Sequence, residues 1–450
     1  MKIWKLLTSV PLLAVNLWAA SPAVQDLPLP EKIFPQLDGI LKKAVQQSPR
    51  MLNRALDLEI AENNRIQARA NLLPSLGGYA NYFEARDTRA DQSGRLNVTK
   101  ISYNFSLNQP LFYWGERRNN ARAGEIQADI VKGQYRDGYR ALAQTLRSDY
   151  LRLIVLKLAS KRGVYYVQFT KNQLAQEEER LTKKVISEYQ ISAVRLAAEQ
   201  AQLISERAQF DFEMARQSFA RLSGTPMLGD DEIPDDVPVL TYGPAPFDRL
   251  LADFLGQKDP PTIEAYTFRQ QWESEKLNYS NQKKRLLPKF NFVLGVSQDD
   301  QSYTINVAQR YRVNSRFTGV TANWTIFDGF TSQAAVRNSL ARLRQMDNDY
   351  RDLTARLAQQ AQTAVRQLNF SARGMSIADR SVVACQGSLK TRQDDFTRGV
   401  TSESDVNAAR LALYDARINA SNNRNEYLGR MVEFLGIVFE DPVVANVSDK

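Results

Sequence analysis

The residue types that most often carry out chemistry are scarce in this sequence. Its 450 residues include no histidine and a single cysteine, Cys385. Without imidazole there is no His-based general base, no His-containing catalytic triad and no His ligand for zinc or copper. One cysteine allows neither an intrachain disulfide nor a thiolate cluster. No grouping of acid, base and nucleophile emerges, so the sequence predicts a protein that is not an enzyme and that has no cofactor and no metal site.

The charges point to no nucleic-acid partner. The formal net charge is +9 at pH 7, but the 59 Lys and Arg residues are scattered among 50 Asp and Glu residues. A nucleic-acid-binding surface normally gathers its basic residues into a patch or stripe. The sequence therefore predicts no nucleic-acid binding.

The N-terminus is typical of an exported protein. Lys2 and Lys5 precede an apolar run at 6–15, and small residues follow it. This pattern predicts a signal peptide at 1–20, with cleavage after Ala23 as the alternative. No cysteine follows the run, so no lipid anchor is expected. No later run of 18 apolar residues exists, so any membrane crossing would have to use strands, because only helices and closed barrels satisfy the backbone in lipid.

Three markers recur in the same order and indicate a duplicated unit of about 210 residues. Leu-Leu-Pro at 72–74 is echoed at 286–288, Leu-Phe at 111–112 by Ile-Phe at 326–327, and Leu-Ser-Gly at 222–224 by Phe-Leu-Gly at 434–436. The predicted organisation is a first repeat at 37–224, a linker at 225–258, a second repeat at 259–436 and a C-terminal tail at 437–450.

Each repeat is predicted to run from a helix into two strands. The helices, at 51–72 and 263–286, end before Pro74 and Pro288, because proline stops a helix and turns the preceding residue extended. Period-two alternation then predicts strands, with Ile, Tyr, Phe and Leu at 101, 103, 105 and 107 facing one way and Ser or Asn between them facing the other. Polar segments at 87–95 and 298–316 are predicted to be exposed loops.

These strands have two interpretations. Taken alone, the alternation fits a half-buried antiparallel sheet in a soluble domain. Strands of about ten residues also match the ~9–11 residues that a tilted strand needs to span a bilayer, and aromatic residues near the predicted strand ends would suit the interfacial girdles of a membrane sheet. The candidate interface aromatics are Tyr79, Tyr82, Phe112, Trp114, Phe317, Trp324 and Phe327.

Long proline-free stretches follow the strands and predict long helices. Apolar residues recur there at helical spacing in two stripes, Leu196 to Met214 and Val406 to Phe434, which predicts helices that associate side by side. A helix from Gly115 to near residue 183 would have about 67 residues and a length of ~100 Å. The same count from Phe330 ends near Phe396, just before a turn signal at 398–402. The corresponding segment of the first repeat, 184–192, lacks glycine.

Strand number predicts oligomerisation. One chain supplies four predicted strands, whereas single-chain membrane barrels begin at eight, so one copy would leave exposed sheet edges in lipid. Two copies would supply eight strands and three would supply twelve.

Taken together, these features resemble the TolC-like outer-membrane efflux proteins of Gram-negative bacteria, from about residue 37 to residue 436. The resemblance rests on the duplication, the Leu-Pro junctions at Pro74 and Pro288, the strand exits at 110–112 and 325–329, and the segment 396–406, Phe-Thr-Arg-Gly-Val-Thr-Ser-Glu-Ser-Asp-Val. The last segment is similar to the Gly-x-x-Ser-x-x-Asp-hydrophobic motif at a helix tip of that family.

The resemblance implies a mainly α fold with transmembrane β structure. Duplicated helix-strand-strand-helix units would form a homotrimeric β-barrel, with four strands per chain, in the outer membrane, joined to a long periplasmic α-helical barrel. The implied function is a passive exit duct for a tripartite efflux pump or a type I secretion system. The implied partners are a periplasmic adaptor, an inner-membrane transporter reached through that adaptor, and outer-membrane lipid.

The resemblance also implies where the channel would narrow. Arg398, Gly399, Val400, Thr401 and Ser402 would form the adaptor-contacting helix tip. Phe396, Thr401, Glu403 and Asp405 would lie at the aperture. Three Asp405 carboxylates related by threefold symmetry would make a cation-attracting ring, and their repulsion would raise at least one pKa. The alternative is a solvated acidic residue favoured by the helix dipole at a helix start.

The sequence departs from the family pattern at this aperture. A second acidic residue often follows three positions later, where this chain has Ala408, and a Tyr and an Arg that lock some relatives align with Phe396 and Thr401. A looser or different latch is therefore predicted, in which Arg398 and Glu403 could take part.

The sequence is also compatible with one other class of function. A periplasmic coiled-coil scaffold or adaptor without a pore would also explain the export signal and the long helices. Such a protein would leave membranes with high salt, whereas a barrel protein would need detergent.

Overall fold

The computed structural model describes residues 27–88, 95–303 and 311–447. The predicted signal peptide lies outside the described residues, as do the last three residues of the predicted C-terminal tail. Most of the first predicted loop and the middle of the second lie outside them too. Within the described residues, none of the helices combines the length and the hydropathy that crossing a bilayer requires.

In its described residues, the first half of the chain runs from three helices through two strands into a long helical hairpin. Its elements are α1 (Pro30–Ile33), α2 (Pro35–Gln47), α3 (Pro49–Ala70), β1 (Ser75–Thr88), β2 (Arg95–Phe112), α4 (Glu116–Thr182) and α5 (Glu188–Ser223). Helix α4 has 67 residues, as the sequence predicts.

The second half repeats this order after a linker that contains one helix. Its elements are α6 (Ala245–Gly256), α7 (Ile263–Lys283), β3 (Lys289–Tyr303), β4 (Tyr311–Asn323), α8 (Thr331–Thr397), α9 (Glu403–Ile437) and a 3₁₀ turn (Pro442–Asn446). Helix α8 also has 67 residues. The mainly helical fold with a duplicated helix-strand-strand-helix unit is confirmed.

Left-handed backbone conformations show the true spacing of the duplication. Among the residues that the structure describes, positive φ angles occur in four pairs that are each 215 residues apart, and in each pair one member is glycine. The pairs are Trp114 with Gly329, Gly115 with Phe330, Lys184 with Gly399, and Gly224 with Phe439. The third sequence marker, which aligned Gly224 with Gly436, is therefore three residues out of register. Glycine is the easiest residue to place at positive φ but not the only one, so the glycines themselves do not align.

The four strands form one antiparallel sheet in the order β1-β2-β3-β4. The strands are longer than the sequence predicts, and the predicted exposed loop at 298–316 was wrong, because β3 continues to Tyr303 and β4 begins at Tyr311. Cross-strand partners such as Gln298 and Asn314 are polar, so this part of the ladder shows no apolar alternation. At its other end β4 stops at Asn323.

The sheet has two chemically different faces, because paired residues of an antiparallel ladder point the same way. We define the apolar face as the one that carries Leu76, Ile101, Phe105, Leu294, Val296 and Val320. These side chains are 41–78% exposed. The polar face carries Asn81, Ser102, Asn104, Ser106, Ser297 and Ser315.

The chain divides into two compact units. The first comprises 1–55, 134–262 and 354–450, and the second comprises 56–133 and 263–353. In the first unit, the middle of α4 is buried against the N-terminal helices and the last part of α9. Its core includes Leu37, Leu41, Leu146, Ile154, Leu428, Met431 and Leu435.

A buried ion triad joins both chain ends of the first unit to α4. The guanidinium of Arg147 is 2% exposed and lies 2.7 Å from a carboxylate oxygen of Asp441, and it also contacts the Glu31 carboxylate. Charge pairing on two sides keeps Arg147 protonated and raises its pKa, against the opposing effect of burial. The triad therefore ties α1 and the 3₁₀ turn to the same helix.

Candidate functional site

The turn between α8 and α9 contains most of the predicted aperture and adaptor-contacting residues. We call residues 396–405 the Gly399 tip. Helix α8 ends there in a Schellman arrangement, in which Gly399 N–H donates to the Phe396 carbonyl (2.9 Å) and Val400 N–H donates to the Asp395 carbonyl (2.9 Å). Gly399 has φ +75°, which explains the glycine of the segment.

Helix α9 begins with a capping box. The Ser402 hydroxyl accepts from Asp405 N–H (3.2 Å), and Asp405 Oδ2 accepts in return from Ser402 N–H (3.1 Å). The hydroxyls of Ser402 and Thr401 also donate to Oδ2, at 2.6 Å and 2.8 Å. The spacing Gly-x-x-Ser-x-x-Asp is thus the spacing of a helix end, an N-cap and the third helical residue.

These hydrogen bonds set the charge state of Asp405. The Ser402 hydroxyl first, then the Thr401 hydroxyl and the Ser402 N–H, lower the pKa of the Asp405 carboxyl to about 2. The carboxylate is therefore ionised at any pH above about 3. Within one chain the lowering has a local cause, and the predicted repulsion in a ring of carboxylates would act in the opposite direction.

The remaining residues of the Gly399 tip face solvent in the single chain. Val400 is 75% exposed and Phe396 is 46% exposed, and Glu403 is the first residue of α9. Arg398 donates to Asp395 at 2.6 Å within its own helix end. The part of Arg398 and Glu403 in a latch of the aperture stays a prediction.

A second tip of the same build lies between α4 and α5, where the sequence shows no glycine. We call residues 181–190 the Lys184 tip. Lys184 has φ +57°. Its N–H donates to the Leu181 carbonyl (2.8 Å), and Val185 N–H donates to the Arg180 carbonyl (2.9 Å). Ser187 and Gln190 form the capping box, with Ser187 N–H donating to Gln190 Oε1 at 2.9 Å.

The sequence places the turn of the first repeat at 184–192, but without a glycine it does not identify Lys184 as the left-handed residue or Ser187 as the cap. The spacing of 215 residues identifies both, because Ser187 and Ser402 are 215 residues apart, and so are Val185 and Val400. Val185 is 62% exposed and Tyr189 is 87% exposed. Each hairpin therefore ends in an exposed valine followed by a serine cap.

Side chains also join the two hairpins in the region below the tips. Tyr165 of α4 donates to Asn407 Oδ1 of α9 at 2.6 Å. One turn earlier on α4, Arg162 makes a two-point contact with Asp415, at 2.7 Å and 3.2 Å. Closer to the turns, Gln173 Nε2 donates to Ser404 Oγ at 3.3 Å. No residue pattern predicts these contacts, because they depend on which faces of α4 and α9 meet.

The predicted interface aromatics fall into three groups. Tyr79 and Phe317 lie inside their strands and on the polar face, opposite Asn104 and Gly295. Tyr82 lies on the apolar face, opposite Ile101. The other four, Phe112, Trp114, Trp324 and Phe327, lie where the strands meet the helices.

The junction aromatics are fixed by hydrogen bonds and ring contacts. Trp114 Nε1 donates to the Pro288 carbonyl at 2.8 Å, and Trp324 Nε1 donates to the Leu286 carbonyl at 2.9 Å. The Phe112 ring lies 4.8 Å from the Trp114 ring. Indole rings with an apolar body and a bonded N–H suit the boundary between lipid and water.

Comparison with known proteins decides the family. The model of the outer membrane efflux protein family matches residues 40–160 and 267–433, more than half of the chain. The chain belongs to the outer membrane efflux protein family. It is a TolC-like efflux channel of the outer membrane, in a family of channels and not of enzymes, and its helical part extends into the periplasm.

Solved structures of such channels have the same fold. The CmeC outer membrane channel of Campylobacter jejuni has a TM-score of 0.69 at 14% identity, with 92% of this chain and 90% of that chain covered. VceC of Vibrio cholerae has a TM-score of 0.63 at 14% identity, with 91% and 97% covered. The open state of the MtrE channel of Neisseria gonorrhoeae has a TM-score of 0.64 at 15% identity, with 90% and 89% covered. No curated protein sequence matches this chain significantly.

Proposed function

We propose that three copies of this efflux channel assemble into one duct that passes cargo from a periplasmic adaptor to the outside. The observation that carries the proposal is the open sheet. A four-stranded sheet with two free edges and an exposed apolar face cannot stand alone in a bilayer, because lipid offers no hydrogen-bond partner to the edge groups. The trimer is the assembly that channels of this family form, and it pools twelve strands.

Exposed apolar stripes on the helices support the same assembly. Leu196, Leu203 and Phe210 on α5 are 55–67% exposed in the single chain. The first of the two predicted stripes therefore does not contribute to the core of one chain. Leu52, Leu56 and Ile60 on α3 are likewise 51–58% exposed. Contiguous apolar helix faces of this kind mark interfaces, and neighbouring copies would cover them.

The adaptor docks on the exposed tips and an inner-membrane transporter supplies the energy in our proposal. At the Gly399 tip, residues 398–402 offer an exposed valine on a turn held by backbone hydrogen bonds. Such a rigid apolar knob is pre-organised for a partner. Drugs, metal ions, polysaccharides and secreted proteins all remain candidate cargo.

Asp405 lines the aperture in this proposal, together with Phe396, Thr401 and Glu403. Three ionised carboxylates in one constriction would attract cations and exclude anions. The contacts of Tyr165 with Asn407 and of Arg162 with Asp415 would hold the second hairpin against the first while the aperture is closed. They would take the place of the lock that Phe396 and Thr401 cannot form.

Planar-bilayer recording tests this function. Purified protein should conduct ions with a preference for cations, and Asp405→Asn should lower that preference, because the amide keeps an oxygen for the capping box but removes the charge. Glu199→Gln is the matched control for one lost acidic charge per chain, because Glu199 is exposed on α5 and is not among the predicted aperture residues. An unchanged selectivity in Asp405→Asn would remove Asp405 from the aperture, and the absence of conductance would contradict the channel.

A further inference from the structure

The two edge strands of the sheet are nearly equal in length, and among the described residues the outer edge of each has no strand partner. Strand β1 has 14 residues and β4 has 13 residues. Both are edges of the four-stranded sheet. Since the proposed trimer closes only if β4 of one copy pairs with β1 of the next, the residue register of that seam decides how the barrel closes.

We propose that β4 pairs antiparallel with β1 of a second copy in the register that sets Arg316 opposite Glu84 of the partner subunit. The two side chains then form an ion pair between subunits on the apolar face, at the outer boundary of its apolar band. This inference rests on the trimer proposed above, and it adds the register and the pair that fixes it.

The apolar band of the apolar face ends at a different level on different strands, where level means a row of paired residues. The ladder sets Gly78, Phe105, Val296 and Arg316 in one row on the apolar face. On β1 this face carries no charge from Leu76 through Tyr82, and its first charge is Glu84. On β4 the first charge is already Arg316, level with Gly78. On β3 the first charge is Asp300, level with Tyr82, so the first charge on this face falls by six residues across the three strand spacings from β1 to β4.

A band that is flat in the membrane must be oblique to the register rows if the strands are tilted. If Arg316 lies opposite Glu84 of the partner subunit, the residue register shifts by six residues over the four strand spacings from β1 of one copy to β1 of the next. Six residues rise ~20 Å along a strand, and four strand spacings measure ~19 Å, which gives a tilt of ~46°. This value is close to the tilt of ~45° that transmembrane strands adopt.

The neighbouring registers on the same face fit less well. Pairing Arg316 with Tyr82 of the partner subunit corresponds to a tilt of ~35°, which barrels allow, but it leaves the guanidinium inside the apolar band. Pairing Arg316 with Arg86 of the partner subunit corresponds to ~54°, steeper than barrels show, and it opposes two positive charges. A shift by one residue would exchange the apolar and polar faces.

The side chains present are those that such a pair needs. Within the described residues Arg316 is exposed and forms no ion pair, whereas Arg312, on the same face of β4, already pairs with Asp300 at 2.6 Å. On β1 the Tyr82 hydroxyl donates to the Glu84 carboxylate at 2.6 Å. Glu84 is thereby held on the apolar face with its second oxygen free to accept from a guanidinium.

Disulfide trapping tests the register in the full-length protein. The background is Cys385→Ser, and the test protein adds Glu84→Cys and Arg316→Cys. Directly opposite residues lie within the Cα separation that a disulfide spans, whereas residues one step off are ~7–8 Å apart and exceed it. The matched controls combine Arg316→Cys with Tyr82→Cys or with Arg86→Cys.

Oxidation of the Glu84 and Arg316 cysteines should give inter-subunit bands at least about tenfold stronger than either control. Stronger cross-linking in a control, or none in a protein whose native mass is trimeric, would overturn the register while leaving the trimer intact. A monomeric native mass would instead contradict the proposed function.

Charge exchange gives a second readout that does not depend on cysteine chemistry. Glu84→Arg should reduce the fraction of trimer that resists dissociation in detergent, and adding Arg316→Glu should restore it. Failure of the double variant to recover would also overturn the pair.

Discussion

The Gly399 tip and the Lys184 tip are 215 residues apart and turn the chain through the same hydrogen bonds, although most of their residues differ. Both end a 67-residue helix in a Schellman arrangement and start the next helix with a serine capping box. The left-handed position holds glycine in one tip and lysine in the other. The third helical residue is Asp405 in one tip and Gln190 in the other. The two repeats thus keep the same backbone conformation at their tips although most of the residues there differ.

The largest effect should come from charging the exposed valines. Val400→Glu should abolish efflux in a strain that depends on this channel, tested by growth against a panel of dyes, detergents and antibiotics, because a buried unpaired charge would oppose docking of the adaptor. Since Val185 is presented in the same way, Val185→Glu should also cause a loss of efflux. The trimer should stay intact in both variants.

The two valines sharpen the comparison of the tips. Full efflux in Val400→Glu would contradict adaptor docking at residues 398–402. Loss in Val400→Glu with full efflux in Val185→Glu would restrict docking to the second repeat. Val400→Thr, which is similar in shape and uncharged, is the matched control.

The serine caps should differ in strength. Ser402→Ala should lower the free energy of local unfolding at the start of α9 by about 1 kcal/mol, as loss of an N-cap does. Ser187→Ala should cost less, because the hydroxyl contact to Gln190 is 3.2 Å whereas the contact to Asp405 is 2.6 Å. Hydrogen exchange of the first helical turns measures both, with Ser→Thr at each site as the control.

The Asp405 cap should also respond to pH. Because its pKa in the folded chain is lowered to about 2, the ionised carboxylate contributes stability that is present above its unfolded pKa of about 3.9 and is lost as the pH falls through about 2. Gln190 has no charge to lose, so the Lys184 tip should not show this loss.

Equal effects of Ser402→Ala and Ser187→Ala at neutral pH would contradict the predicted difference in strength between the two serine caps.

The smallest effect should come from the left-handed residues. Lys184→Gly should stabilise the Lys184 tip by about 0.5–1 kcal/mol, because a side chain at positive φ is strained. Gly399→Ala should destabilise the other tip by a similar amount through the backbone alone, since nothing lies within 4 Å of the added Cβ. Local hydrogen exchange measures both changes, and a Lys184→Gly variant that exchanges faster would contradict the shared backbone.

The sequence could predict the fold because its strongest signals are periodic. Residue spacing alone predicts helices that end before Pro74 and Pro288, long proline-free helices, and an alternating strand at 101–107. The helix length of 67 residues follows from the positions of the turns. The duplication was recognisable from order and distance even where single residues did not match.

The details that failed depend on partners that a linear pattern does not contain. The polar ends of β3 and β4 looked like loops because their stability comes from the ladder between them, including Gln298 with Asn314 and Asp300 with Arg312. The turn at 184–192 was placed by its spacing, but its left-handed residue was not predicted, because lysine at positive φ carries no sequence signal. The contact of Tyr165 with Asn407 depends on the meeting of two helices from different repeats.

The central claim is that one chain supplies a third of a transmembrane sheet. Native mass spectrometry of the detergent-solubilised protein tests it most directly, because it counts chains without assuming a pore. The account predicts a single species of three chains. A monomer, or a closed dimer of eight strands, would contradict it.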